Sequence, residues 1–216
     1  MRITVLGATG HVGSAVVNQA LERGHEVVAY VRSPDALRQG LRVSVIQGTL
    51  EDESALARAF TSVDAVICCL GAPLRPGKPV ELMQRSLPVV TAAMKAAGVE
   101  RFVLVSAFGV GDTASKASPL ARVLYRTVMA AIFTDKQRSE QGLPGSNLNW
   151  TIVHPVKLTQ KAAGPAATIQ PLDQVTRVPG LPTLSYANLS TALLDIVADA
   201  SLARRRVLVT TENGWK

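Results

Sequence analysis

Apolar positions along the chain keep two rhythms. Short, mainly apolar runs at residues 3–6, 26–31, 43–46, 65–69, 102–106, 150–153 and 207–209 predict strands of a sheet buried on both faces. Between them, apolar residues recur every third or fourth place. Val12, Ala15, Val16, Gln19 and Ala20 predict a first helix that Gly24 stops. Residues 51–60 and 82–97 predict two more, the second either opened or kinked at Pro88. Leu120, Val123, Leu124, Val128, Ala131 and Ile132 form one long amphipathic stripe, and residues 186–198 a last helix. Strands separated by helices pair in parallel through right-handed crossovers. The expectation is one α/β domain of three layers, a doubly wound sheet of about seven strands ordered 3-2-1-4-5-6-7. Residues 160–182 break both rhythms and are rich in Pro, Gly and Ala. They follow the sixth strand, so a covering segment over about 156–184 is expected at the carboxyl edge of the sheet, where ligands bind.

Composition narrows the class. The 216 residues suffice for one well-filled α/β domain, and with 47% hydrophobic and 18% charged residues the chain reads as globular. Aromatics make up only 4%, so the core rests on Val, Leu, Ile and Ala. The formal charge is +7, but it is scattered. The one tight run, Arg204-Arg205-Arg206, has no interleaved aromatics, which argues for a solvated surface and against nucleic acid. An anionic cofactor would account for part of the excess. Cys68 and Cys69 are adjacent in an apolar run, which suits reduced core thiols rather than a disulfide framework, and no Cys/His spacing fits a zinc site. No apolar run is long enough for a membrane span, and Met1-Arg2 leads straight into a short strand rather than a signal peptide. A cytoplasmic protein without membrane or metal is expected.

The first strand–turn–helix unit carries Gly7-Ala8-Thr9-Gly10-His11-Val12-Gly13. In that context, Gly7 permits the tight turn, Gly10 lets the backbone approach a pyrophosphate, and Gly13 lets the helix start pack close. The helix-start N–H groups, those of His11 and Val12 among them, then face the phosphates, with Thr9 beside them. This is the phosphate loop of a Rossmann-type dinucleotide site. At the end of the second strand, NAD-specific sites place Asp or Glu; this chain reads Arg32-Ser33. The Arg32 fork and the Ser33 hydroxyl match a 2′-phosphate, so NADP(H) is expected to bind in preference to NAD(H). The alternative is an Arg merely exposed after a strand.

These glycines and their flanks resemble the atypical short-chain dehydrogenase/reductase group over almost the whole chain. Further likeness lies in Gly71, in Ala92-Ala93-Met94-Lys95-Ala96-Ala97-Gly98-Val99, in Val105-Ser106-Ala107-Phe108 and in Trp150-Thr151-Ile152-Val153-His154-Pro155. Within the group the chain is similar to NmrA-like proteins and to the biliverdin-IXβ reductase (flavin reductase) type, which are compact and use NADPH. The resemblance implies Thr49 and Leu50 beside adenine, although the group often has Asp where Thr49 stands. It implies Leu70 and Gly71 at the nicotinamide-side ribose, and Pro155 and Val156 facing the nicotinamide. His154 stands where Arg is common, and its role stays open between a site group and a strand-end histidine under the cover; that of Lys157 is open too. Ser106 and Lys136 match the catalytic serine and lysine. A Tyr normally stands four residues before that lysine; here it is Ile132. Tyr125 lies about three turns upstream, out of reach on a regular helix. Carbonyl chemistry relying on a tyrosine acid is thereby disfavoured. Reduction of a small planar acceptor (flavin, quinone or biliverdin-like) is favoured, because the cofactor does the hard step and the protein orients two rings. Lys136 read as an ordinary surface lysine is the alternative for that residue. For the whole chain the alternative is an NADP(H)-binding redox sensor without turnover; an isomerase of the extended group would need the missing tyrosine and a longer C-terminal domain. A monomer or homodimer is expected.

Overall fold

Parallel strands pair where the alternation of strand and helix demands. A computed structural model describes residues 1–34, 42–73, 79–161 and 164–216. In chain order, its strands are β1 (Arg2–Leu6), β2 (Glu26–Val31), β3 (Val43–Gln47), β4 (Ala65–Cys68), β5 (Arg101–Val105), β6 (Asn149–Pro155), β7 (Lys157–Thr159), β8 (Ala167–Pro171), β9 (Thr183–Ser185) and β10 (Arg205–Thr211). The main sheet runs β3-β2-β1-β4-β5-β6-β10-β8, and all its pairings are parallel except β10 with β8. The expected order of seven strands is thus present.

Side chains alternate across this sheet, and the alternation divides the core in two. Ile3, Val5, Ile67, Val103 and Val105 face α1 (His11–Glu22) and α6 (Tyr186–Ala198). Val66, Cys68, Phe102, Leu104 and Ile152 face α2 (Glu53–Phe60), α3 (Leu82–Ala96) and α5 (Ala130–Glu140). The even-numbered ends of β5 and β6 therefore belong to the α5 side. That parity decides where Ser106 and His154 point.

Helix ends follow local chemistry. Asp52 caps α2 by accepting the Ala55 N–H at 2.8 Å. The start of α3 has no cap of its own from Glu81; buried Asp135 on α5 supplies one, accepting the N–H groups of Met83 and Gln84 at 2.9 and 3.0 Å. Pro88 neither opens α3 nor ends it: the helix runs from Leu82 through Pro88, which sits on the exposed side where the missing N–H is least costly.

Three expectations are corrected. The covering segment is not wholly irregular: it holds β8, an antiparallel edge strand on β10, and a separate parallel pair of β7 with β9. The strand is short: Ala167 and Ile169 alternate with Thr168 and Gln170 and pack on the core, and Pro171 is tolerated because the strand is an edge. The long amphipathic stripe is broken into α4 (Pro119–Thr127) and α5. On α4 and at its C-cap it faces outward: Leu120, Val123 and the capping Val128 are 71%, 61% and 53% exposed, while Ala121 and Tyr125 turn inward. Lastly, Cys68 is core, but Cys69 is half-buried just past β4, where its carbonyl meets Gly7. No helix among the described residues is long and apolar enough to cross a membrane.

Candidate functional site

The loop after β1 is shaped by what its glycines exclude. Gly7 sits at φ +78°, a conformation side chains rarely adopt. A Cβ on Gly13 would lie 2.1 Å from the Gly7 carbonyl oxygen, so any larger residue would push the first turn of α1 off the loop. Gly10 caps α1 without a side-chain bond, which leaves the first-turn N–H groups for an outside partner. In front of them is a cavity of about 210 Å³ lined by Gly7, Thr9, Gly10, Arg32 and Gly71. It continues, through Arg32, Leu50, Leu70 and Gly71, into a second cavity of about 670 Å³ that also touches Thr49 and Val80. The cleft thus runs over the carboxyl ends of β1, β2 and β4. A cradle of free helix-start N–H groups with no side chain at Gly10 fits a dinucleotide diphosphate.

Tyr30 trims the adenine-side wall. Its hydroxyl donates to the Thr49 carbonyl at 2.6 Å, fixing the loop that presents Thr49 and Leu50. Burial, helped by the Asp52 charge, pushes its pKa up to about 12, so the phenol stays a donor. Arg32 and Ser33 are exposed at the same end. The His11 ring points away from the cradle: it stacks on Tyr186 at 5.1 Å and meets Gln160 Nε2 at 3.4 Å. That contact ties the segment after β7 to the phosphate loop.

Beyond the cleft, at the carboxyl ends of β5 and β6, the determinants are side chains. The register Cys68 to Leu104 carries Ser106 level with Leu70, and the register Val105 to Val153 sets it beside His154. Ser106 is buried and its hydroxyl donates to Glu140 Oε1. Lys136, one turn earlier on α5, is buried with Nζ donating to the Val105 carbonyl at 2.9 Å, so it is not a surface lysine. Burial pulls its pKa down. His154 is fully buried, with Nδ1 3.1 Å from the Ala107 carbonyl, and burial lowers its pKa to about 4. The ring is therefore neutral near pH 7, with Nδ1–H donated and Nε2 left as a lone pair without a hydrogen-bond partner among the described residues. Glu140 Oε2 lies 3.8 Å from that nitrogen and 3.7 Å from the Arg206 guanidinium, which also grips Asp112 at 2.7 and 2.9 Å. Burial holds the Glu140 carboxyl above its ordinary range, outweighing the Ser106 hydroxyl, Arg206 and Lys136, which pull it down.

The structure thus gathers Thr9, Gly10, Arg32, Thr49, Leu50, Leu70 and Gly71 along one cleft, and Ser106 with Lys136 beyond it. Pro155 and Val156 are buried behind, where the Pro155 carbonyl accepts the Phe108 N–H at 2.9 Å; neither lines the two cavities. Tyr30, Asp135, Arg206 and Glu140 escaped sequence reasoning. Only Glu140 left a usable signal, standing four residues after Lys136 on the same helix face.

Comparison with known proteins agrees. The family model described as NAD(P)H-binding matches residues 7–200. A (4-alkanoyl-5-oxo-2,5-dihydrofuran-3-yl)methyl phosphate reductase from Streptomyces griseus is 33% identical over 155 residues, covering 71% of this chain and 46% of that protein. The chain spans about half the length of the curated relatives it matches. Among solved structures, a short-chain dehydrogenase/reductase from Veillonella parvula in complex with NADP superposes with a TM-score of 0.81 at 19% identity, covering 100% of this chain and 96% of that one. An anaerobillin reductase from Escherichia coli O157:H7 superposes with a TM-score of 0.79 at 23% identity, covering 97% of each chain. With the phosphate loop, the sheet order and the family match in agreement, the chain belongs to the NAD(P)H-binding family.

Proposed function

We propose that the protein is an NADPH-dependent reductase that acts on a small planar acceptor, such as a flavin, a quinone or a biliverdin-like ring. One observation carries this reading: a cleft with a backbone phosphate cradle and Arg32 at one end has a buried Ser106, Lys136 and Glu140 cluster beyond the other. A protein that only sensed the cofactor would need the first end alone. The names of the Streptomyces relative and the Escherichia neighbour, both reductases, support the class.

In this reading the bound cofactor supplies a hydride. The N–H groups at the start of α1 hold its diphosphate. Arg32 and Ser33 take the 2′-phosphate, Thr49 and Leu50 the adenine, Leu70 and Gly71 the second ribose, and Pro155 and Val156 the nicotinamide. Ser106 presents its hydroxyl to the acceptor, and Lys136 holds the end of β5 in place through the Val105 carbonyl. Residues 156–184 cover the acceptor and exclude water. With Ile132 in the tyrosine place, no phenol serves as acid.

The test is twofold. Calorimetric titration should show NADPH binding more tightly than NADH. Protein with NADPH should then turn over at least one acceptor from a panel of flavins, quinones and biliverdin. Tight NADP(H) binding with no turnover on the whole panel would make the protein a cofactor sensor instead.

A further inference from the structure

Glu140 is a buried carboxyl that cofactor binding does not use, and its surroundings are specific. On one side, Oε1 accepts the Ser106 hydroxyl. On the other, Glu140 lines a cavity of about 230 Å³ with Asp112, Gln137, Gln141, Trp150 and Arg206. Asp112, Gln137 and Gln141 are exposed, so this cavity opens to solvent, away from the cleft that holds the phosphate cradle. Glu140 therefore stands between bulk water and the serine at the end of β5.

The groups facing it favour a carboxyl that carries and releases a proton. From β6, neutral His154 turns an unpartnered Nε2 lone pair toward Oε2, 3.8 Å away; a proton on Oε2 would be the donor this nitrogen lacks. From β10, Arg206 lies 3.7 Å from Oε2, close enough to steady the carboxylate once the proton has gone. Arg206 is itself held by Asp112 of the turn after β5, which blunts its pull on Glu140. From α5, buried Lys136 lies one turn back and is committed to the Val105 carbonyl.

We propose that Glu140 is a proton-relay and positioning residue: it recharges the Ser106 hydroxyl with protons drawn from the solvent cavity behind α5, and so replaces the absent tyrosine acid. The proposal rests on the reductase reading above. In the step it describes, the acceptor, having received a hydride, takes the proton of Ser106 Oγ on an oxygen or nitrogen. A half-turn of the Glu140 carboxyl brings its protonated oxygen from His154 Nε2 to Ser106 Oγ, which takes the proton, and the carboxylate left faces Arg206. Water in the cavity then returns a proton to Glu140. One hydride and one proton enter the acceptor, and the protein ends as it began. The acceptors suited to this relay are those whose reduced form puts negative charge on a heteroatom at the Ser106 end.

Two readouts test it. In protein without cofactor, infrared difference spectra across a pH titration should show a carboxylic C=O band that persists above the ordinary Glu range and is missing in Glu140→Gln. With NADPH and an acceptor, kcat should fall as pH rises through that same point, because the protonated form is the working one. Glu140→Gln should abolish the step and lower kcat on the order of 10²-fold at the acid plateau, with KM little changed. Should that variant not fold, Arg206→Gln should move both the band and the kcat step to higher pH, since it removes the nearest positive charge. A carboxyl that titrates in the ordinary Glu range, or a turnover profile identical in wild type and Glu140→Gln, overturns the relay alone. Wild-type protein that binds NADPH and turns nothing over overturns the reductase reading and the relay with it.

Discussion

The cleft over β1, β2 and β4 and the cluster beyond it, at the ends of β5 and β6, are built from different material. At the β1–β2 end the work falls to the backbone: a left-handed Gly7, a helix start without a side-chain cap, and a Gly13 that admits no Cβ. At the β5–β6 end it falls to side chains: buried Ser106, His154 and Lys136 from β5, β6 and α5 surround Glu140, with Arg206 of β10 and exposed Asp112 on its solvent side. A backbone site binds many dinucleotide ligands alike, whereas a side-chain site decides what is done with them. Damage to the first should therefore abolish binding, and damage to the second should change pH behaviour and rate while binding persists.

The largest effect is expected at the first end. Gly10→Val should abolish cofactor binding, because its side chain would fill the cradle, while circular dichroism stays that of a folded protein. Gly10 has an ordinary φ of −76°, so backbone strain plays no part. Normal NADPH binding by a folded Gly10→Val would show that the cradle is not the phosphate site.

At the second end, His154 gives a stability signature. Its pKa is about 4 folded against 6.5 unfolded, so the unfolded chain binds the extra proton first. The contribution is complete above pH 6.5 and is lost as pH falls from there through about 4, on the order of 3 kcal/mol in all. Urea melts from pH 7 to 4 should show this acid loss, and His154→Gln should flatten it; an unchanged slope would mean that the ring is protonated in place. Asp135→Ala should cost roughly 1.5–3 kcal/mol, since it strips the start of α3 of a charged acceptor for two N–H groups. It tests whether the chemical end needs α5 fixed against α3. NADPH affinity should be nearly unchanged, and a large loss of affinity would blur the division between the two ends.

The smallest effect concerns cofactor choice. Arg32→Ala should cut the preference for NADPH over NADH by about tenfold, as loss of one charge-assisted contact implies. Equal affinities in the wild type, or a preference that survives the substitution, would remove Arg32 from the 2′-phosphate site.

The same contrast explains what the sequence could reveal. Gly7, Gly10 and Gly13 follow one another within a single strand–turn–helix, so spacing alone identifies the cradle. The strand order was legible because the short apolar runs alternate with segments of helical spacing, which makes the strands pair in parallel through right-handed crossovers. Glu140, Arg206 and Asp112 are far apart in the chain and meet only through the register of β5, β6 and β10, which no local pattern encodes. β8 was hidden because its alternation of Ala167 and Ile169 with Thr168 and Gln170 is too short to stand out within a segment rich in Pro, Gly and Ala. The α4 stripe misled for a related reason: periodicity marks an apolar face but does not say that the face turns inward, and here Tyr125 and Ala121 take the inner side.

The most direct measurement is a single-turnover experiment. Protein saturated with NADPH is mixed without oxygen against each acceptor of the panel, and the absorbance of the reduced nicotinamide is followed. With at least one planar acceptor, the absorbance should decay at a rate that rises with protein concentration and returns to the uncatalysed rate in Gly10→Val. Tight NADPH binding with no protein-dependent decay for any acceptor would contradict a reductase and leave a cofactor-binding protein without turnover.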